Sequence, residues 1–282
     1  IYKSIDGGDS WERKRSDNYK DIEFKPGDPA RIYLGSQSVW LSTDTGETFT
    51  NTNVSGFINR VEIAVTEDNP NIVYAVSSYG GNNGLDAVWR STNSGVSFTK
   101  VLNNAGQGNG DNLLGWNSDG TGTGGQGFYD LAIAASPFDA DELVIGGINV
   151  WGSTDGGTTW NIIAHWTGQG APTVHADQHD LAYKPGTDEL YSGNDGGIYK
   201  TTDFGSQWTN LTSTLQITQS YRLGISQNTF GYLLAGNQDN GTFRRIADGS
   251  YFRPGGGDGF ECIVDHTDDN IIYTSLYFGT IS

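Results

Sequence analysis

One recurring octapeptide limits what this chain can fold into. Ser153-Thr154-Asp155-Gly156-Gly157-Thr158-Thr159-Trp160 reads Ser/Thr-x-Asp/Asn-x-Gly-x-x-Trp/Phe, and the pattern returns from Ser4 to Trp11, Ser42 to Phe49, Ser91 to Phe98 and Thr201 to Trp208. The copies start at positions 4, 42, 91, 153 and 201, giving spacings of 38, 49, 62 and 48 residues. Self-similarity at such a period marks a repeat architecture. The acid or amide of each copy (Asp6, Asp44, Asn93, Asp155, Asp203) can bond its own backbone just ahead and set a turn. The glycine supplies a positive φ. The closing aromatic (Trp11, Phe49, Phe98, Trp160, Trp208) is expected to bury a large apolar area between neighbouring repeats.

Each box closes a longer unit. The first complete one has apolar runs at 22–26, 32–35 and 39–42, the box, and a short fourth run; the next three repeat this order. Four short runs joined by tight turns describe four antiparallel strands, which is the blade of a β-propeller. The 41 glycines and the low charged fraction of 17% suit such a chain. The expected class is therefore all-β, with about six blades visible. A partial blade spans 1–16, blades span about 20–53, 58–103, 128–165, 179–212 and 220–247, and a partial blade spans 259–282. The fifth unit lacks a box, and 246–259 reads as a link. The final residues, Gly279 to Ser282, sit where another box would begin, so a larger ring cut at both ends is expected.

A formal charge of −17 excludes a nucleic-acid surface, which needs clustered Lys and Arg. No apolar run reaches the length of a membrane-spanning helix, so no direct membrane insertion is expected. Cys262 is the single cysteine, so no intrachain disulfide exists; in an apolar strand it reads as a buried small hydrophobe. The chain begins in mid-pattern and contains no methionine, which reads as a processed product or a fragment.

Loop length separates the two ends of the blades. First-to-second strand turns are short and third-to-fourth turns are boxes. The long segments are second-to-third turns and blade-to-blade links, such as 77–87, 102–127, 164–179 and 246–259. In an up-and-down blade these two classes emerge together, so the long loops should crowd the end opposite the boxes. Long loops on a rigid scaffold are where binding resides.

Three constellations on that end can carry chemistry. His175, Asp177 and His179 would point to one side of an extended segment and offer ligands to zinc or another transition metal. Asp130, Asp180, Asp258 and Glu261, at the starts of innermost strands, could converge as acid and base for glycoside cleavage, or hold a calcium ion with backbone carbonyls. Tyr79, Trp116, Phe128, Tyr129 and Trp166 offer aromatic faces for stacking on sugars or anchoring a protein.

The boxes resemble the Asp-box (BNR) repeat of sialidases, xyloglucan-cleaving propeller hydrolases and sortilin-type domains. The segments His175 to Tyr183, Ser192 to Thr201, Ala235 to Thr242 and Gly256 to Cys262 look like those of large secreted propeller proteins of Bacteroidota that leave by type IX secretion. The resemblance covers nearly the whole chain and implies a secreted or cell-surface location, with a glycan, a surface protein, or secretion or adhesion machinery as partner. The Arg-Ile-Pro signature of sialidases is absent; Arg31-Ile32-Tyr33 is the nearest string. The expected function is a glycan- or protein-binding scaffold acting through the long-loop end, with a glycoside hydrolase as the alternative.

Overall fold

The computed structural model of the chain describes residues 1–215 and 217–277. The chain is all-β, with no α-helix among the described residues, and its blades are those of a β-propeller. It divides into two compact units, Ile1–Asn194 with Ile198–Leu211, and Asp195–Gly197 with Thr212–Ser282.

In the first unit, a half-blade pairs β1 (Tyr2–Lys3) with β2 (Glu12–Arg13). Blade one is β3 (Asp21–Lys25), β4 (Asp28–Gly35), β5 (Val39–Ser42) and β6 (Thr50–Asn51). Blade two is β7 (Ile58–Val65), β8 (Val73–Tyr79), β9 (Leu85–Ser91) and β10 (Thr99–Asn103). Blade three is β11 (Ala132–Ala135), β12 (Leu143–Gly146), β13 (Val150–Ser153) and β14 (Asn161–Ala164). Blade four is β15 (Gln178–Tyr183), β16 (Leu190–Asn194), β17 (Gly197–Thr201) and β18 (Thr209–Asn210). Strands follow one another across each sheet in chain order.

Both faces of a blade are buried, which is why its second strand is a continuous apolar run. In β8, Val73 and Ala75 join the core shared with blade one, while Tyr74 and Val76 join the core shared with blade three. In β12, Leu143 and Ile145 pack toward blade two and Val144 toward blade four. A period of two along each strand therefore feeds two cores alternately.

The second unit holds blade five, β19 (Ser220–Ile225), β20 (Leu233–Asn237), β21 (Gly241–Arg245) and β22 (Tyr251–Gly255), and a pair, β23 (Cys262–Val264) and β24 (Ile272–Thr274). The stretch 246–259, expected as a link, contains β22, whose Phe252 and Tyr251 pair with Arg244 and Arg245. No box marks it, and its short Tyr251-Phe252 pair followed by Arg253-Pro254-Gly255 reads as a loop. Cys262 is buried, as expected. The box start expected at Gly279 to Ser282 lies outside the described residues.

The boxes are clasps. In the blade-one copy the Ser42 hydroxyl donates to Asp44 Oδ1 (2.8 Å) and accepts from the Gly46 N–H (2.9 Å). Asp44 then accepts from the Thr48 N–H (2.9 Å) and hydroxyl (2.5 Å). The Ser153/Asp155 copy repeats this, and the Thr201/Asp203 copy repeats it without the last hydroxyl, since Gln207 gives only its N–H; the hydroxyl–carboxylate bonds are 2.9 Å and 2.8 Å. Two consecutive left-handed residues turn the chain, Thr45 (φ 63°) with Gly46 (77°) and Phe204 (53°) with Gly205 (83°). Only the second needs glycine: a Cβ on Gly205 would lie 2.7 Å from Ile163 Cβ of blade three, and one on Gly95 2.4 Å from Tyr33 Cε1 of blade one. The closing aromatics behave as expected at Phe98, buried, and at Trp208, whose Nε1 donates to the Ile163 carbonyl of the preceding blade (3.0 Å). Trp11 differs, being 62% exposed, with its Nε1 turned back onto the Gly8 carbonyl.

Candidate functional site

At the long-loop end of blades one and two lies a cavity of about 410 Å³. Its wall includes Gln37 and Ser38 from the β4–β5 turn, Trp40 of β5, Asn59 and Arg60 of β7, and Phe128 from the link into blade three. An adjoining cavity of about 370 Å³ shares Gln37, Ser38 and Asn51 and reaches Phe57. The polar wall is already ordered. Asn59 Nδ2 donates to Asn83 Oδ1 (2.7 Å), and the Ser38 hydroxyl lies 2.6 Å from the Val54 carbonyl. Arg15 stacks 3.6 Å from the Trp40 ring centroid, closing one face of that indole. Phe128 keeps 56% of its surface exposed.

A register shift places Asn59 here. Ile58 pairs with Tyr79 and Arg60 with Ser78, so Asn59 is the extra residue of a bulge at the start of the innermost strand. His179 in β15 and Tyr221 in β19 occupy equivalent shifts. Bulges re-aim a side chain and recur beside functional sites. The sequence carries no apolar break that would reveal them.

Beneath the groove, carboxyls gather on the inner strands. Arg60 Nε bonds Glu62 Oε1 (2.7 Å), and its remaining nitrogens reach the carbonyls of Tyr129 (2.7 Å) and Leu131 (3.3 Å). Asp21 of β3 accepts from the Ile63 N–H (2.6 Å) and lies within hydrogen-bonding reach of Glu62. Burial pushes Glu62 up to about 8, the Asp21 charge adds to this, and Arg60 opposes it. Burial also raises Glu23 to about 7, with the charges of Asp21 and Asp180 adding. Removing a carboxyl from water disfavours its ionised form. Glu23 further lines a separate cavity of about 270 Å³ between the innermost strands, toward the short-turn end. The alternation of Asp21, Glu23 and Lys25 in β3 is a readable sequence signal for this set.

The residues singled out by sequence fare unequally. Asp180 is exposed and acts on Glu23, but Asp130 is fully buried behind Arg60's carbonyl contacts and does not face a cleft. Asp258 and Glu261 belong to the second unit. There Asp258 accepts from the Asp239 N–H (2.7 Å) and Glu261 pairs with Arg222 (3.6 Å). Tyr79 is the last residue of a strand rather than a loop residue, and packs edge-on against Phe57 (5.6 Å). Tyr129 meets the His179 ring edge-on at 4.8 Å. Trp116 and Trp166 are each 46% exposed.

The His175–Asp177–His179 metal set is corrected. Asp177 has a left-handed backbone (φ 64°) and accepts from Gln126 Nε2 (3.0 Å), and His179 sits in the bulge. Alternation fails in such a segment, and among the described residues the three do not bring ligand atoms within 4.8 Å of one another. In the second unit Asp195 and Asp239 bring carboxylate oxygens within 4.8 Å.

No family model matches the chain. A xyloglucanase from a Paenibacillus species is 24% identical over 276 residues, covering 84% of this chain and 24% of that protein. The chain thus spans about a quarter of that relative's length. The GH74 xyloglucanase of Xanthomonas campestris superposes with a TM-score of 0.50 at 16% identity, over 92% of this chain and 42% of that one. A Niastella koreensis GH74 enzyme gives a TM-score of 0.48 at 18% identity, over 92% and 40%. The Xanthomonas superposition shows the fold, a β-propeller.

Proposed function

We propose that the chain is a glycan-binding propeller module that holds a neutral polysaccharide in the groove at the long-loop end of blades one and two. The observation carrying this reading is the groove's chemistry: amides and hydroxyls of Gln37, Ser38, Asn51 and Asn59 beside the exposed Phe128 ring. Sugars combine apolar ring faces with hydroxyl rims, and concave sites with a few placed polar groups suit them. Arg60 is held by Glu62 and by the carbonyls of Tyr129 and Leu131, which leaves it few donors for a charged group and favours an uncharged ligand. The xyloglucanase relative supports the ligand class. The five boxes support Asp-box kinship, and with it a secreted or cell-surface setting and type IX export. Affinity electrophoresis in gels containing xyloglucan or hydroxyethylcellulose tests the reading. Phe128→Ala and Gln37→Ala should each weaken retardation about tenfold, a loss of about 1.4 kcal/mol. Retardation unchanged in both variants refutes the groove.

A second reading, a glycoside hydrolase, draws on Glu62 and Glu23, whose raised pKa values suit a general acid at neutral pH, with Asp180 as the partner base. Release of reducing ends from xyloglucan, lost in Glu23→Gln and Asp180→Asn, would favour it. Release unchanged in both variants removes those residues from any mechanism.

A further inference from the structure

Two of the half-exposed tryptophans come from different links yet share one support. Trp116 lies in the link between blades two and three, and Trp166 in the link between blades three and four. Asn149, 1% exposed in the β12–β13 turn, donates through Nδ2 to the carbonyls of Gly115 (3.1 Å) and Trp116 (3.3 Å). Its Oδ1 accepts from the Trp166 N–H (3.2 Å). One side-chain amide therefore ties both tryptophan backbones.

His165 adds a second tie. It is 2% exposed, and its Nδ1 accepts from the N–H groups of Thr167 (3.1 Å) and Gln169 (3.2 Å). A ring nitrogen that receives two N–H donors carries no proton, so the hydrogen sits on Nε2 and points at the Trp116 carbonyl, 3.2 Å away. The links meet again at Gly170, where a Cβ would lie 3.8 Å from Ser118. The backbones that carry both indoles are thus held by buried polar groups, while each tryptophan keeps nearly half of its surface in water. Pre-ordered aromatic faces lose little entropy on binding.

We infer that Trp116 and Trp166 form a second binding site, separate from the groove, which takes a neutral pyranose ring. The local chemistry selects this ligand. Residues 103–126 and 165–174 contain no Lys or Arg, so nothing there would hold a phosphate or a sugar acid. Asn117, Ser118, Thr167 and Gln169 adjoin the indoles in sequence and provide uncharged partners for ring hydroxyls. The site rests on the glycan reading but not on the groove's residues.

Intrinsic fluorescence titration with cellohexaose tests it, since ligand stacking on an indole changes its emission. The wild-type chain should show a saturable emission change. Trp116→Ala and Trp166→Ala should each lower the affinity of that change about tenfold and remove most of its amplitude. Trp116→Phe, which keeps a stacking face, should restore more than half of the affinity. Phe128→Ala should leave the emission change in place. A change that persists at full affinity in both alanine variants overturns the second site, and its loss in Phe128→Ala alone would assign it to the groove. No saturable change in the wild type overturns the second site, and retardation in the polysaccharide gels then decides separately whether the groove reading stands. The melting temperatures of all variants should match the wild type, because both rings are half in water.

Discussion

At the box end of the blades, Asp44 and Asp155 stand in water, each surrounded by hydroxyl and backbone donors that hold its carboxyl down to about 2. On the inner strands, Glu62 and Glu23 sit largely out of water and burial lifts them to about 8 and about 7. The same functional group is fixed as an anion in one region and kept protonated near neutrality in the other. Donors fix the first, and withdrawal from solvent fixes the second. The contrast separates a repeated structural device from a set of groups left available for chemistry, and each of the following changes tests whether that separation is real.

The largest effect is expected at the box. Gly205→Ala places a Cβ 2.7 Å from Ile163 Cβ at a φ of 83°. Left-handed strain and overpacking together should cost on the order of 4 kcal/mol. Thermal melting should drop by roughly 10 °C, while the folded variant keeps wild-type retardation in polysaccharide gels. Lost retardation below the melting transition would mean that the box end contributes to the binding site, and the separation would fail.

Next comes the inner-strand end. The folded pKa of Glu62 lies above its unfolded value, so its contribution is fully present below about 4.5 and is lost as pH rises through about 8. Glu23 acts with the same sign through about 7. Wild-type stability should therefore fall between pH 5 and pH 8. Glu62→Gln should flatten much of that slope, gaining on the order of 3 kcal/mol at the alkaline end. Urea midpoints at pH 5 and pH 8.5 measure it. Equal slopes in both proteins would show that Glu62 ionises freely, and the contrast with Asp44 would collapse.

The two regions also differed in how far they could be read from sequence. The boxes were legible because their chemistry is local: Ser153, Asp155 and Gly157 meet within one turn, so spacing carries the geometry. Strand order and blade number followed, because boxes and apolar pairs recur together. The groove was only half legible. Loop lengths point to the end at which the groove lies, yet Gln37, Asn51 and Asn59 come from three different chain segments, and polar residues in short turns send no periodic signal. The metal set failed at one backbone angle, the left-handed Asp177, which an extended reading cannot anticipate. Asp130 failed because a carboxylate at a strand start can face inward as well as outward, and burial decides which.

A smaller effect on the clasp isolates a single group. Ser153 is buried, accepts from the Gly157 N–H (3.0 Å) and donates to Asp155 Oδ1 (2.9 Å). Ser153→Ala leaves a buried amide without its acceptor, at a cost of about 1–2 kcal/mol. A melting shift of about 4 °C is expected by calorimetry, against none for Ser118→Ala at the loop end. Equal shifts at the two positions would deny the box its special role.

The smallest effect exploits the one box without an acid. Asn93 accepts from the Ser97 N–H (3.0 Å) and, unlike the acids, donates through Nδ2 to the Ser97 hydroxyl (2.9 Å). Asn93→Asp should reverse that last bond, with the hydroxyl becoming the donor, as Thr48 does toward Asp44. The new carboxylate would then titrate as Asp44 does, with its folded pKa depressed toward the value of about 2 seen there. Its contribution is fully present above the unfolded carboxylate range and lost as pH falls through the folded value. The variant should melt within about 2 °C of the wild type at pH 7, and whatever advantage it holds there should disappear by pH 2. A pH-independent difference would mean that the hydroxyl does not turn toward the acid. The low carboxyl pKa would then belong to the particular surroundings of Asp44 and Asp155 rather than to the box as such.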